Sequence, residues 1–90
     1  MSIEILHPYI SSRQEIGAGR PIIAGTRTKV SNIVAYYKLG FSPEELAREF
    51  PQLSLSQIHD ALSYYYEHRK DIDREIDDEL EENLKVQPAK

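Results

Sequence analysis

Three histidines, His7, His59 and His68, and fifteen carboxylates carry what acid–base or metal-binding chemistry this 90-residue chain has. Their spacing assigns them to none. No histidine has a second ligand at metal-site distance along the chain, and without cysteine there is no thiolate. The carboxylates crowd a C-terminal helix that reads as exposed, where desolvation cannot tune a general acid or base. Gly17-Ala18-Gly19 is too short for a phosphate-cradling loop, and the residues after it read as strand rather than helix. Ser54 and Ser56 are explained by helix capping. The chain therefore reads as non-enzymatic, with no metal and no cofactor.

A second chemistry is hydrogen bonding to nucleic acid. On a helix beginning at Leu55, the outward face carries Ser56, Gln57, His59, Asp60 and Ser63. Glutamine can read adenine in bidentate fashion, and serine can contact bases or phosphates. That face has no Lys or Arg, and Asp60 repels phosphate. The phosphate contacts that dominate affinity would come from Arg20, Arg27, Lys29, Lys38 and Arg48. Arg27 has a second use open to it, tying loop carbonyls or a nearby carboxylate together after a Gly-Thr turn.

The elements that must position these groups are signalled locally. Ser42-Pro43-Glu44-Glu45 and Ser54-Leu55-Ser56-Gln57 are both capping boxes, flanked by the staple pairs Phe41/Leu46 and Leu53/Ile58. They predict helices over about 43–50 and from 55 onward, separated by Pro51, at the spacing of a helix-turn-helix. An earlier helix is predicted from about Lys29 or Val30 to Leu39. Its apolar stripe is Val30, Ile33, Val34 and Tyr37, its cap Thr28 or Ser31, and its stop Gly40. Ahead of it, Tyr9-Ile10-Ser11 and Pro21-Ile22-Ile23-Ala24 read as two short strands of a hairpin around a loop over 14–20. Gly25 is expected where a backbone angle or close packing excludes a side chain.

From Leu55 no glycine or proline intervenes before Pro88. The apolar face Ile58, Ala61, Leu62 and Tyr65 is expected to continue through Ile72, Ile76, Leu80 and Leu84 along one unbroken helix of about 30 residues, roughly 45 Å long. A three-helix core cannot cover so long a stripe, so the part beyond His68 must meet a partner, fray or turn back. Tyr65, Ile72, Ile76, Leu80 and Leu84 are the candidate partner-binding residues. Two partners fit them: a second copy of the chain, or the groove of a protein that accepts an amphipathic helix. Tyr64-Tyr65-Tyr66 points in three directions about 100° apart. Core or dimer packing explains it, and a stacking platform for bases is the alternative.

Length and charge bound the rest. Ninety residues make one small domain that buries only roughly 60–65% of its unfolded surface. It divides into an N-terminal β element (1–28), a three-helix core (29–68) and an acidic helical extension with a tail (69–90). The net charge of −4 argues against a simple DNA-coating protein. Residues 1–66 are neutral overall and the whole deficit lies in 67–90, so an acidic tail follows a front with a basic stretch between Arg13 and Lys38. No signal peptide or membrane-length run is seen, and a cytoplasmic protein is expected.

Gly19-Arg20-Pro21-Ile22-Ile23-Ala24-Gly25-Thr26-Arg27 with Val30, then Gly40, Glu45-Leu46, Phe50-Pro51-Gln52-Leu53, Ile58 and Ala61-Leu62-Ser63-Tyr64, resembles the domain-of-unknown-function 433 family of small prokaryotic proteins, described as VapB-like antitoxins. The resemblance covers about residues 9–68. Lys29 departs from it, standing where members often carry proline or an apolar residue. The resemblance implies a mainly α fold: a three-helix, homeodomain-like helix-turn-helix core with a short N-terminal β-hairpin and, in this chain, a long C-terminal helix. It further implies a homodimer that neutralises a PIN-like ribonuclease toxin. Operator DNA is the expected nucleic-acid partner, through Arg20, Arg27, Lys29, Ser56, Gln57 and His59. The competing expectation is a structural or protein-interaction module with no nucleic-acid contact.

Overall fold

A computed structural model describes residues 7–86, with side chains to Glu81. It is mainly helical, with one antiparallel hairpin. The hairpin pairs β1 (Ile10–Arg13) with β2 (Ile16–Ile23). The expected loop over 14–20 is only a two-residue turn. Gly17, Ala18 and Gly19 belong to β2 instead, all with positive φ (64°, 56° and 86°). Pairing jumps from Ser12↔Pro21 to Arg13↔Ile16, so 17–20 bulge out of the ladder. The two glycines marked a bulge and not a loop, because the left-handed backbone they permit serves either.

The chain leaves β2 through a tight turn. Thr26 donates from both N–H and Oγ1 to the Ile23 carbonyl (3.0 and 2.8 Å), and Thr28 N–H returns to Thr26 Oγ1 (3.0 Å). Gly25 sits there at φ 80° with nothing near its missing Cβ. The backbone angle, and not packing, requires glycine.

Helix α1 spans Val30–Lys38. Lys29 occupies its N-cap with no side-chain cap bond, so neither Thr28 nor Ser31 caps it. Its end is a full Schellman motif: Gly40 (φ 109°) donates to Tyr37 O and Phe41 to Tyr36 O, while the Phe41 ring packs edge-on against Tyr36. Helices α2 (Pro43–Glu49) and α3 (Leu55–Glu67) start at the two capping boxes. Ser42 Oγ accepts from Glu45 N–H while Ser42 N–H donates to Glu45 Oε1, and Ser54 and Gln57 repeat the exchange. Each box satisfies two amides the helix start leaves open.

The unbroken rod expected beyond Tyr65 does not form. α3 stops at His68 (φ −134°, ψ 44°), and a separate helix, α4, runs Arg69–Val86. α4 lies antiparallel across α1. Asp73 meets Lys38 at the end of α1, and Glu79 meets Ser31 near its start. The physical reason is Ile72, which is fully buried among Ile23, Val30, Ile33, Val34, Ile58 and Tyr65, with Ile76 packed at the margin. Of the three fates open to the surplus stripe, the chain takes the turn back. It covers the α1–hairpin face that a three-helix core leaves bare.

Candidate functional site

Three groups of side chains bear on function. The first is the exposed face of α3. Ser56, His59 and Ser63 are exposed there as predicted. Gln57 is half-buried, and its Oε1 is spent on the Ser54 amide. Asp60 is turned inward: its Oδ1 accepts from His7 Nδ1 at 2.9 Å and its Oδ2 from Tyr9 N–H at 2.9 Å. The carboxylate expected to repel phosphate is thus matched by a donor on each oxygen.

His7 is the clamp. Its Nε2 lies 2.6 Å from Glu67 Oε1, so both ring nitrogens face carboxylate oxygens, which accept only, an arrangement that favours the imidazolium. Burial pulls its pKa down, but hydrogen bonds to Glu67 and Asp60 outweigh that and the net shift is upward. The ring also meets Tyr64 edge-on at 5.2 Å, and Tyr64 stacks on His68 at 4.1 Å. Sequence reasoning left His7 without a role. Asp60, Tyr64 and Glu67 share one helical side, but nothing local announces a ligand more than fifty residues away.

The second group is a basic cluster closed by Glu79. Arg20, thrown inward by the β2 bulge, donates Nη1 to Glu79 Oε2 at 2.9 Å; Lys29 donates Nζ to the same oxygen at 2.9 Å; buried Ser31 donates Oγ at 3.2 Å. Gly17 makes room for Lys29, whose Cδ would lie 3.2 Å from a Cβ there. Of the five cations expected on phosphate, Arg20 and Lys29 are therefore engaged within the chain here, and Lys38 is engaged by Asp73. Counting the apolar stripe in steps of four passes over Glu79. At about 100° per residue, position 79 returns to within about 20° of Ile72, whereas Leu80 lies about 80° away. Leu80 is accordingly 57% exposed. Beside the cluster, Glu75 Oε1 is buried without a hydrogen-bond partner among the described residues, and burial raises its pKa despite Arg20 and Lys29.

The third group is what remains open. Arg27 and Arg48 are exposed, with no ion pair among the described residues. Gln52 of the α2–α3 turn donates to Thr28 Oγ1 at 3.4 Å, which ties the loop carrying Arg27 to that turn. A cleft of about 590 Å³ separates the hairpin from the start of α4, lined among others by His7, Ser12, Tyr64, Arg74 and Glu75. Of the partner-binding candidates, Tyr65 and Ile72 are in the chain's own core, Ile76 is half-buried against it, and Leu80 alone is exposed; the Leu84 side chain lies outside the described residues. Tyr65 donates to Asp73, which also takes Lys38. The tyrosine triplet is thus mostly packing: Tyr66 pairs with Tyr37, and Arg69 lies over the Tyr65 and Tyr66 rings. No described helix is long and apolar enough to cross a membrane.

The family model described as "Protein of unknown function (DUF433)" matches residues 10–65, from β1 to the buried Tyr65. The chain belongs to the DUF433 family. A DUF433 member protein from Anabaena variabilis ATCC 29413, known from a crystal structure, is similar to it with a TM-score of 0.71 at 32% identity, over 79% of this chain and 70% of that one. No curated protein matches it. The DUF433 match spans the hairpin and α1–α3 and ends before α4, so Arg20, Lys29 and Ser31 lie inside it and Glu79 lies outside.

Proposed function

We propose that this DUF433 protein is a non-enzymatic, dimeric, antitoxin-type protein whose α2–turn–α3 is a homeodomain-like helix-turn-helix for operator DNA. The observation that supports it is the α3 face. Ser56, His59 and Ser63 stand open, Asp60 is hydrogen-bonded from inside, and the exposed Arg27 belongs to a loop tied through Thr28 to Gln52 just ahead of the helix start, whose dipole favours phosphate. The Gln57 amide nitrogen is left to read a base while its oxygen holds the cap. The toxin contact falls to the outer side of α4, where exposed Leu80 is flanked by Asp77, Asp78 and Glu81.

A second reading, a protein-interaction module without nucleic acid, is favoured by one observation: Glu79 already occupies Arg20 and Lys29. Anisotropy titration of upstream DNA separates the two. The DNA reading expects binding that weakens steeply with salt, is reduced on all sequences by Arg27→Ala, and is strengthened several-fold by Glu79→Gln, which frees two cations for phosphate. No binding at low salt by folded wild type and Glu79→Gln alike leaves the module.

A further inference from the structure

We propose that α4 is an exchangeable arm: in a dimer, α3 and α4 straighten into one helix, and each α4 docks on the α1–β2 face of the other copy. This deepens the dimer reading above by naming how the copies join. The junction is a single residue. His68 N–H donates to Tyr65 O instead of the helical Tyr64 O, while Ile72 N–H already returns to His68 O. The orphaned Tyr64 carbonyl is taken by the His68 ring through Nδ1 at 3.0 Å. The bend therefore survives on a side-chain substitute for a backbone bond, in a stretch from Gln52 to Gln87 with no glycine or proline to impose it.

Everything that holds α4 down is chemically indifferent to which copy supplies it. Ile72 fills a pocket of α1 and α3 side chains, Asp73 takes Lys38, and Glu79 takes Arg20, Lys29 and Ser31. Exchange keeps each of these contacts and restores the helical bonds across residue 68. Against that stand the entropy of association, which concentration offsets, and the local contacts across the hinge, the His68 ring on the Tyr64 carbonyl and Arg69 over Tyr65 and Tyr66. A short hinge between an arm and its own docking face is the arrangement that swaps. In the exchanged dimer the basic cluster is incomplete without the carboxylate of the second copy.

The chain has no cysteine, which makes the test direct. Lys38→Cys and Asp73→Cys chains, made separately, are unfolded together, refolded at high concentration and treated with a short bis-maleimide. Exchange expects a covalent heterodimer well above either chain alone. Light scattering on His68→Ala and His68→Gly supplies the second arm: the straight helix is favoured by alanine and disfavoured by glycine, so the alanine dimer should dissociate at least ten-fold less readily. A dimer without the heterodimer cross-link overturns the exchange and leaves the dimer standing. A single-chain mass for wild type and His68→Ala up to millimolar concentration overturns both.

Discussion

The α2–α3 unit and α4 are helical regions of one small chain, yet they are specified in opposite ways. Each start in the first is fixed by hydrogen bonds spanning three residues. α4 is placed by partners 35 to 59 residues away, Lys38, Ser31, Lys29 and Arg20. Local caps decide where a helix begins. Long-range burial decides where it goes, and here it prevails over the local preference to continue through His68. The contrast has an energetic form that substitutions can test. Ile72→Ala should cost about 2–4 kcal/mol, since it empties a fully buried site. Ser54→Ala should cost about 1 kcal/mol, the value of a cap. Leu80→Ala, on the same stripe by simple counting, should cost under about 0.5 kcal/mol. Denaturant unfolding ranks the three. If Ile72 falls below Ser54, α4 is an appendage and the turn back has another cause.

A smaller effect of opposite sign comes from Glu75. Its raised pKa means that the fold favours the protonated carboxyl, so ionisation at neutral pH costs stability. That cost sets in as pH rises above the ordinary glutamate value. Glu75→Gln should therefore stabilise the protein at pH 7, by about 0.5 kcal/mol once solvent screening is allowed for, and the gain should vanish near pH 4. A Gln variant less stable at pH 7 would mean that Arg20 and Lys29 need the Glu75 charge beside that of Glu79.

What could be read from the sequence follows the same division. Both capping boxes, the α1 stripe, the Gly40 stop and the two strand cores announce themselves within four or five residues, and all are where the pattern puts them. The bulge at 17–20, the break at His68 and the closure of Arg20 and Lys29 by Glu79 depend on what surrounds them. A glycine pair permits a bulge and a loop equally. No residue type near His68 breaks a helix. A stripe of Ile72, Ile76, Leu80 and Leu84 puts a leucine where the fold, following Ile72, Ile76 and Glu79, puts a carboxylate.

His7 offers the smallest effect and the most specific one, because it is a long-range contact whose strength is set by pH. Both ring nitrogens donate to carboxylates, and these bonds raise the imidazolium pKa above 6.5 against the opposing pull of burial. A group whose folded pKa is raised adds stability that is fully present below its unfolded value and fades as pH climbs through the folded one. His7→Gln keeps a hydrogen-bonding side chain but cannot carry the charge. Wild type should therefore melt above His7→Gln by about 1–2 °C at pH 5.5, and the gap should close by about pH 9. Variants at Ser54 or Ile72 should show no such closing, since neither cap nor core titrates in that range. A gap that stays constant from pH 5.5 to 9 would mean that His7 holds the N-terminal segment to α3 by packing on Tyr64 alone, and that the Asp60 carboxylate reaches the α3 face with its charge unmatched.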